Sequence, residues 1–593
     1  MSQNAQILLD DARSGHERLL VFARPIRTIA AWDAAQVPAA FAGMEDARAG
    51  GCYVAGYMAY ELGYVLEPRL AAHLPRERTV PLLWFGVFED CEECIGPEAL
   101  RDLQRRISGR GYAGPLDPEW NAAAYRARFA RVHAYIGEGD IYQANLSFRS
   151  RFAFAGDPLA LYLRLRAQSG AACGAFIDDG ERHILSLSPE LFFEISAGQT
   201  VTARPMKGTM ARGADARADA AARAALAQSE KDRAENLMIV DLLRNDLGRI
   251  AQLGSVSVRD LFSVETYPTL HQMVSTVTAR LATTDIGTIV RALFPCGSVT
   301  GAPKIRAMEI IRELEQSPRG IYCGAIGFFA PDGRARFNVA IRTLTISGAR
   351  GELGIGGAVV QDSRPESEYD ECLLKAQYFV AVRRPLDLIE TFAFLPQAGF
   401  VRLERHLARM AASAARLGIP FDPAAANAML RKNEPAVPSR MRVRLAEDGG
   451  LSVNSTPLEP APAAWRYVIS PRRLSSGDEL LRHKTGWREM FEAEWAGSGG
   501  ACDEIVFLNE RGEVTEGSRS NIFLRRNGML LTPPLSSGLL NGCLRDELMA
   551  QGRCREAVLT PHDLAAANDV YFGNSLRGLV RAVAAQAPAF AAG

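Results

Sequence analysis

Two lysines and two acidic pairs are the groups in this sequence whose type and spacing permit chemistry. Lys207 sits in R-P-M-K-G-T, residues 204–209, between Pro205, which stiffens the chain, and Gly208, which permits an unusual backbone. A strand-like Val201-Thr202 precedes it, so the pattern predicts a strand running out into a turn at Lys207. A lysine there is either a solvated charge or, if burial or Arg204 lowers its pKa, an amine nucleophile. The second lysine, Lys484 in L-L-R-H-K-T-G-W, carries the same two readings. The acidic pairs are Asp232 with Glu235 and Glu368 with Glu371, each pair three residues apart, and Lys375 follows Glu371 by four. On helices these spacings put each set on one face, either as a solvated surface or as oxygen ligands for Mg²⁺.

The elements that must position these groups can be read from periodicity. S-E-K-D-R-A-E-N-L-M-I-V-D-L-L-R-N-D-L-G-R-I, 229–250, predicts a helix with Leu237, Val240, Leu243 and Leu247 as its buried stripe. P-E-S-E-Y-D-E-C-L-L-K-A-Q-Y-F-V-A-V, 365–382, predicts a second helix. Between them, C-G-S-V-T-G-A-P-K-I-R-A-M-E-I-I lacks the Gly-Lys-Ser/Thr ending of a phosphate loop. Pro303 fits the first position of a helix that Thr300 caps, and such a start offers free N–H groups to a carboxylate. N-V-A-I-R-T-L-T-I predicts a buried strand bearing Arg342, and G-E-L-G-I-G-G-A-V-V a glycine-rich strand. Together these could hold a small, multiply anionic molecule.

The 593 residues require two or more domains. Lys plus Arg and Asp plus Glu are 68 each, which leaves no global field for nucleic acid or an anionic membrane. No apolar run is long enough for a membrane span, and the N-terminus lacks signal-peptide order, so the expected location is the cytoplasm. Of ten scattered cysteines only Cys91 and Cys94 form a C-x-x-C pair, read as two reduced thiols. Arg383-Arg384-Pro385 breaks a helix before a strand pattern starts at Leu388, which sets the expected domains at 1–384 and 388–593, with core motifs over 120–382. S-T-P-L-E-P-A-P-A-A-W, 455–465, is the expected linker between two lobes of the second domain.

G-E-G-D-I-Y-Q-A-N-L-S, S-L-S-P-E-L-F, T-A-R-P-M-K-G-T-M-A-R-G, A-E-N-L-M-I-V-D-L-L-R-N-D-L-G-R-I, S-V-T-G-A-P-K-I-R-A-M-E-I-I, I-Y-C-G-A-I-G-F-F, A-I-R-T-L and G-G-A-V-V-Q-D-S-R-P-E-S-E-Y-D-E occur in that order. This series resembles the chorismate-utilising enzymes, from about 120 to 382. The resemblance implies a mixed α/β (α+β) fold with large antiparallel sheets and surrounding helices. It implies Mg²⁺ held by Glu235 and Glu371, with Glu368 and Asp232 close by. It further implies contacts to chorismate from Tyr322, Arg342, Gly356, Gly357 and Lys375, with Ser298, Thr300, Gln143 and Thr209 lining the site, and Glu190 as the acid that helps the C4 hydroxyl leave. The isochorismate and salicylate branches place a base lysine where this chain has Gln143. Lys207 and Asn236 both follow the aminodeoxychorismate branch, in which Lys207 would attack C2 and ammonia would then add at C4.

L-I-E-T-F-A-F, R-L-E-R-H-L-A-R-M, H-K-T-G-W, E-G-S-R-S-N-I-F and N-G-C-L-R resemble a second family, the fold-type IV pyridoxal-phosphate enzymes, which are two-lobed. That resemblance implies Lys484 as the cofactor-bearing lysine, Glu516 on the pyridine nitrogen, and Arg409 with the N–H groups near Cys543 and Leu544 on the phosphate. Asn574 and Ser575 would lie beside the cofactor. Members of that family usually carry a further N-terminal segment before L-I-E-T, which this chain lacks after 385. The fusion implies a bifunctional p-aminobenzoate enzyme: a synthase component followed by a lyase that expels pyruvate. No glutaminase signature is present, so ammonia would come from free solution or from a separate glutamine amidotransferase subunit. The alternatives are an anthranilate-type synthase joined to an aminotransferase, and a synthase carrying a non-catalytic module.

Overall fold

The computed structural model describes residues 5–266, 270–460 and 462–585. The chain divides into two compact units. One comprises the residues up to Arg106, Pro115–Phe152 and Tyr162–Val382; the other comprises Ile107–Gly114, Ala153–Leu161 and the chain from Arg383 onward.

The first unit is built on two large antiparallel sheets. One runs through the strands Gly301–Ala302, Gln143–Gly156, Arg350–Val359, Thr343–Ser347, His183–Ser188, Cys173–Asp178, Gln6–Asp11, Arg18–Ala23 and Glu92–Ile95. The other runs through Met206–Ala211, Leu270–Arg280, Thr200–Ala203, Leu191–Ile195, Ala335–Val339, Ala325–Phe329, Tyr53–Met58, Leu83–Phe88 and Arg27–Ala31. Near-continuous burial along Leu83–Phe88 and Ala325–Phe329 marks strands covered on both faces. The principal core packs Phe193, Phe337, Phe85 and Phe329 from this sheet against Ile239, Val240, Leu243 and Leu247 of the helix Glu230–Gly248.

That helix differs from the expected stripe in one member. Leu237 is 42% exposed, and the buried face is Asn236, Ile239, Val240, Leu243, Asp246 and Leu247. The polar members are tolerated because they are paired: Asn236 Oδ1 accepts from Ser275 at 2.6 Å and Asp246 accepts from Lys304 at 2.5 Å. The single helix expected over 365–382 is two, Pro365–Lys375 and Gln377–Val382, separated at Ala376. Pro303 is the N-cap of the helix Lys304–Leu314 rather than its first residue, and Thr300 does not cap it. The Thr300 hydroxyl donates backwards to the carbonyls of Cys296 and Gly297, each at 3.2 Å.

The second unit holds a four-stranded antiparallel sheet, ordered Gly399–Phe400, Leu388–Leu395, Ser439–Leu445 and Leu451–Pro457. The Leu403–Leu417 helix packs on it through Leu407, Met410, Ala414 and Leu417. Its second sheet is mixed, with Ala464–Leu474 parallel to both Glu504–Asn509 and Gly578–Ala584. Pro457 ends one sheet and Ala464 begins the other. Among the described residues no helix is long and apolar enough to cross a membrane.

Candidate active sites

Lys207 lies in a strand, not in a turn. The pairing of Met206–Ala211 with Leu270–Arg280 slips between Met206 and Thr209, and Gly208 takes φ +85° inside that bulge. A Cβ on Gly208 would come within 2.8 Å of Asp232 Cβ, so the glycine lets this strand approach the acidic helix. The bulge turns Lys207 inward, where its Nζ lies 3.4 Å from the Ser298 carbonyl. Burial lowers its pKa, helped by the Lys375 charge and opposed by Glu190, Glu235 and Glu371. Thr209, next but one, points away: it is exposed and donates to Gln272 at 2.9 Å.

Around this amine the structure gathers groups from five separate elements. Glu190 is 5% exposed, and burial pushes its carboxyl up to about 7 against the Ser298 hydrogen bond and the Lys207 charge. A carboxyl with that pKa is available as a proton donor near neutrality. Glu371 pairs with Lys375 at 2.8 Å, and Lys375 also donates to the Gly356 carbonyl at 3.1 Å. Burial raises Glu235, with Asp232 and Glu371 adding to the rise and Lys207 and Lys231 opposing it. Glu368 accepts from Ser363 at 2.7 Å, and its Oε2 lies near Gly357.

Among the described residues, Gln143 and Ser147 here bury polar atoms without hydrogen-bond partners. Gln143 is fully buried, and neither its amide oxygen nor its amide nitrogen is bonded. The half-buried Arg342 guanidinium has no carboxylate partner among the described residues; it lies 5.9 Å from the Tyr378 ring centroid, and burial lowers its pKa. Ser147 Oγ is likewise unpaired, 2.3 Å from where a Cβ on Gly356 would stand. A Cβ on Gly354 would strike the Tyr322 ring at 2.2 Å, so that glycine makes room for the tyrosine. Unpaired buried polar groups are costly unless a ligand meets them, and a guanidinium without a carboxylate partner is suited to take one from a ligand.

The second unit has its own cavity, lined by Lys484, Arg409, Glu516, Cys543, Asn574 and Ser575 among others. Burial holds the Lys484 ammonium down to about 8, with Arg409 and Arg488 contributing. Glu516 is pushed up to about 8 by burial, while the Leu540 N–H donates to it at 3.3 Å. Arg409 grips Glu390 with two hydrogen bonds, 2.9 and 2.6 Å, and donates to the Asn541 carbonyl at 2.9 Å. Burial alone would raise Glu390, but Arg409 and His406 bring it down to about 2. The helix Cys543–Ala550 opens on Gly542, where a Cβ would lie 2.0 Å from Asn521 Oδ1. Asn574 donates to Ser520 at 3.1 Å, and Ser575 Oγ is buried and unpaired. Leu544 packs into the core behind the cavity with Phe523 and Leu548 and is not among its lining residues.

Residues 4–381 match the family model for chorismate binding enzyme. The chain belongs to the chorismate binding enzyme family. Residues 387–585 of this chorismate binding enzyme match a second model, amino-transferase class IV. Aminodeoxychorismate synthase component 1 of Klebsiella aerogenes is 47% identical over 248 residues, 42% of this chain and 55% of that one. Aminodeoxychorismate synthase of Streptomyces pristinaespiralis is 47% identical over 262 residues, 44% of this chain and 36% of that one. The matched part thus spans less than two thirds of either relative. The solved structure of anthranilate synthase component I from Streptococcus pneumoniae TIGR4 is 26% identical with a TM-score of 0.50, covering 64% of this chain and 92% of that one.

Sequence reasoning missed several groups in both sites of this chorismate binding enzyme. Glu390 and His406 brace Arg409, and the signals were a lone acid in the apolar strand L-I-E-T-F-A-F and a His-Arg spacing of three on one helix face. Ser147, Tyr378 and Arg488 carried no signal beyond lying near quoted motifs.

Proposed function

We propose that the chain is a bifunctional enzyme of p-aminobenzoate formation. The first unit aminates chorismate at C4, and the second expels pyruvate from the product. The observation that carries the first half is the half-buried, pKa-lowered Lys207 facing Glu190, with Gln143 rather than a base at the rival position.

Arg342 and the Tyr322 hydroxyl would hold the substrate carboxylates, with the backbone at Gly356–Gly357 and Lys375 closing the site. Glu190 donates its proton to the departing C4 hydroxyl, which leaves as water. Lys207 Nζ forms a bond to C2 as the ring double bonds shift. Ammonia then bonds to C4, the double bonds shift back, and the C2–N bond breaks to release the lysine amine. The oxygen-only donor set of Glu235, Glu371, Glu368 and Asp232 suits Mg²⁺, which would supply positive charge for the anionic substrate. Glu371→Gln is expected to remove Mg²⁺-dependent turnover. Full Mg²⁺-dependent turnover in that variant would reduce the carboxylates to a helix surface.

In the second unit the unpaired Ser575 hydroxyl, the glycine-opened helix and a Lys484 amine with no carboxylate partner among the described residues suit pyridoxal 5′-phosphate. Lys484 would carry it, Glu516 would face its ring nitrogen, and Arg409 with the N–H groups at Cys543 and Leu544 would hold its phosphate. Bound there, the cofactor supplies an electron sink. Lys484 takes the proton from the amine-bearing C4, and the ring becomes aromatic as the enolpyruvyl C–O bond breaks.

The component 1 in a relative's name supports a separate glutamine amidotransferase partner supplying ammonia. Ten free cysteines agree with a reducing, cytoplasmic location. Purified protein given chorismate, Mg²⁺ and ammonium tests the first half: a 4-amino product is expected, and 2-aminobenzoate as the main product overturns it.

A further inference from the structure

Residues 107–114 and 153–161 lie inside the stretch that matches the chorismate binding model, yet they fold with the second unit. We infer that these two segments are working parts of the pyridoxal-phosphate site, and that Arg110 is a positioning residue for Lys484. The inference rests on the reading of the second cavity given above.

Arg110 lines that cavity. Its Nε meets Asp478 at 3.0 Å and its Nη1 donates to the Trp487 carbonyl at 3.1 Å. Asp478 and Trp487 flank Lys484 in the chain, so one guanidinium spans both ends of the lysine-bearing segment. The middle of that segment is tied to the four-stranded sheet: Ile389 N–H donates to the Lys484 carbonyl at 2.9 Å, and Gly486 N–H to Asp387 at 2.7 Å. Lys484 is therefore held between a strand edge on one side and Arg110 on the other.

Arg110 is itself firmly placed. Asp157 Oδ2 accepts from Ser108 N–H at 2.5 Å, Ser108 Oγ at 2.9 Å and Gly109 N–H at 3.2 Å. The other oxygen accepts from Leu159 N–H at 2.8 Å, and the Asp157 N–H donates back to the Arg110 carbonyl at 2.8 Å. A Cβ on Gly109 would stand 3.0 Å from Asp478 Cβ, so the segment passes hard against the loop it holds. Gly156 N–H donates to Glu479 at 3.1 Å, and Arg416 bridges Glu479 to the Phe154 carbonyl. Tyr112 is fully buried against Trp487, their centroids 6.1 Å apart, in the same core as Leu388 and Leu407. These upstream residues supply support for the reactive lysine.

A two-armed arginine fixes both direction and distance, which a lysine at the same place cannot do. Displacing a reactive group by about 1 Å costs about 10²-fold in rate. In the full-length protein loaded with pyridoxal phosphate, Arg110→Ala is expected to lower kcat of pyruvate release about 10²-fold and to move the pH midpoint of the visible cofactor band. Consumption of chorismate by the first unit stays at the parental rate. Arg110→Lys, which keeps the stem and one of the two bonds, is expected to fall between, and it stands in should the alanine variant not fold. A purely structural role would lower Tm and leave kcat and the band midpoint of the folded protein unchanged; that result in either variant overturns the inference. Parent protein that binds no pyridoxal phosphate overturns the underlying reading of the cavity, a distinguishable outcome.

Discussion

Replacing Lys207 with alanine is expected to cut C4 amination by about 10⁴–10⁶-fold, the range of loss when a member of a nucleophilic catalytic unit is removed. Lys207 does not owe its lowered pKa to a cationic neighbour of its own motif. Arg204 is engaged by Glu265, and the leading cause of the lowered pKa is burial inside the bulge at Gly208. A lowered pKa raises the fraction of free amine at a given pH, so the amine-limited limb of the profile should rise at lower pH than for a solvated lysine. Glu190 must be protonated to act, and with its pKa at about 7 that form is lost as pH climbs through 7. The parental amination rate should therefore decline above that point. In Lys207→Ala the product should be scarce or carry its nitrogen at C2. Parental rate with the parental product would remove the lysine from the reaction.

Lys484→Ala is expected to abolish the visible absorbance of bound pyridoxal phosphate and to slow pyruvate release by about 10²–10⁴-fold, the range for losing a positioned acid–base group. The amine is pre-set for proton transfer: burial, Arg409 and Arg488 hold its pKa to about 8, so a sizeable fraction is free base near neutrality. The 4-amino-4-deoxychorismate made by the first unit should then accumulate unchanged. The same variant separates a catalytic second unit from an interaction module, because a module would show no cofactor band to lose.

What could be read before the fold was known depended on the range of the interactions. The acidic pairs on 230–248 and 365–375 were legible because helical period places them on one face. The fate of Leu237 was not, since which neighbour covers a stripe is decided by the sheet it meets, and there Asn236 and Ile239 were taken in while Leu237 stayed outside. Lys207 could be singled out as a candidate nucleophile only through its companions. That it stands in a strand bulge depends on a register slip against 270–280, a partner distant in sequence. Gln143 and Ser147 owe their meaning to being buried without hydrogen-bond partners among the described residues, which no local pattern records. Arg110 is the extreme case. Its two partners, Asp478 and Trp487, lie far down the chain, in residues matched by a different family model.

The central claim, two successive reactions in one chain, meets its most direct test in the mass balance of a single incubation. Full-length protein is given chorismate, Mg²⁺ and ammonium, with and without pyridoxal phosphate, and 4-aminobenzoate and pyruvate are quantified. With the cofactor the two should form in equal amounts. Without it 4-amino-4-deoxychorismate should build up and neither should appear at comparable rate. Pyruvate formed together with 2-aminobenzoate, at the same rate whether or not pyridoxal phosphate is present, would contradict the account.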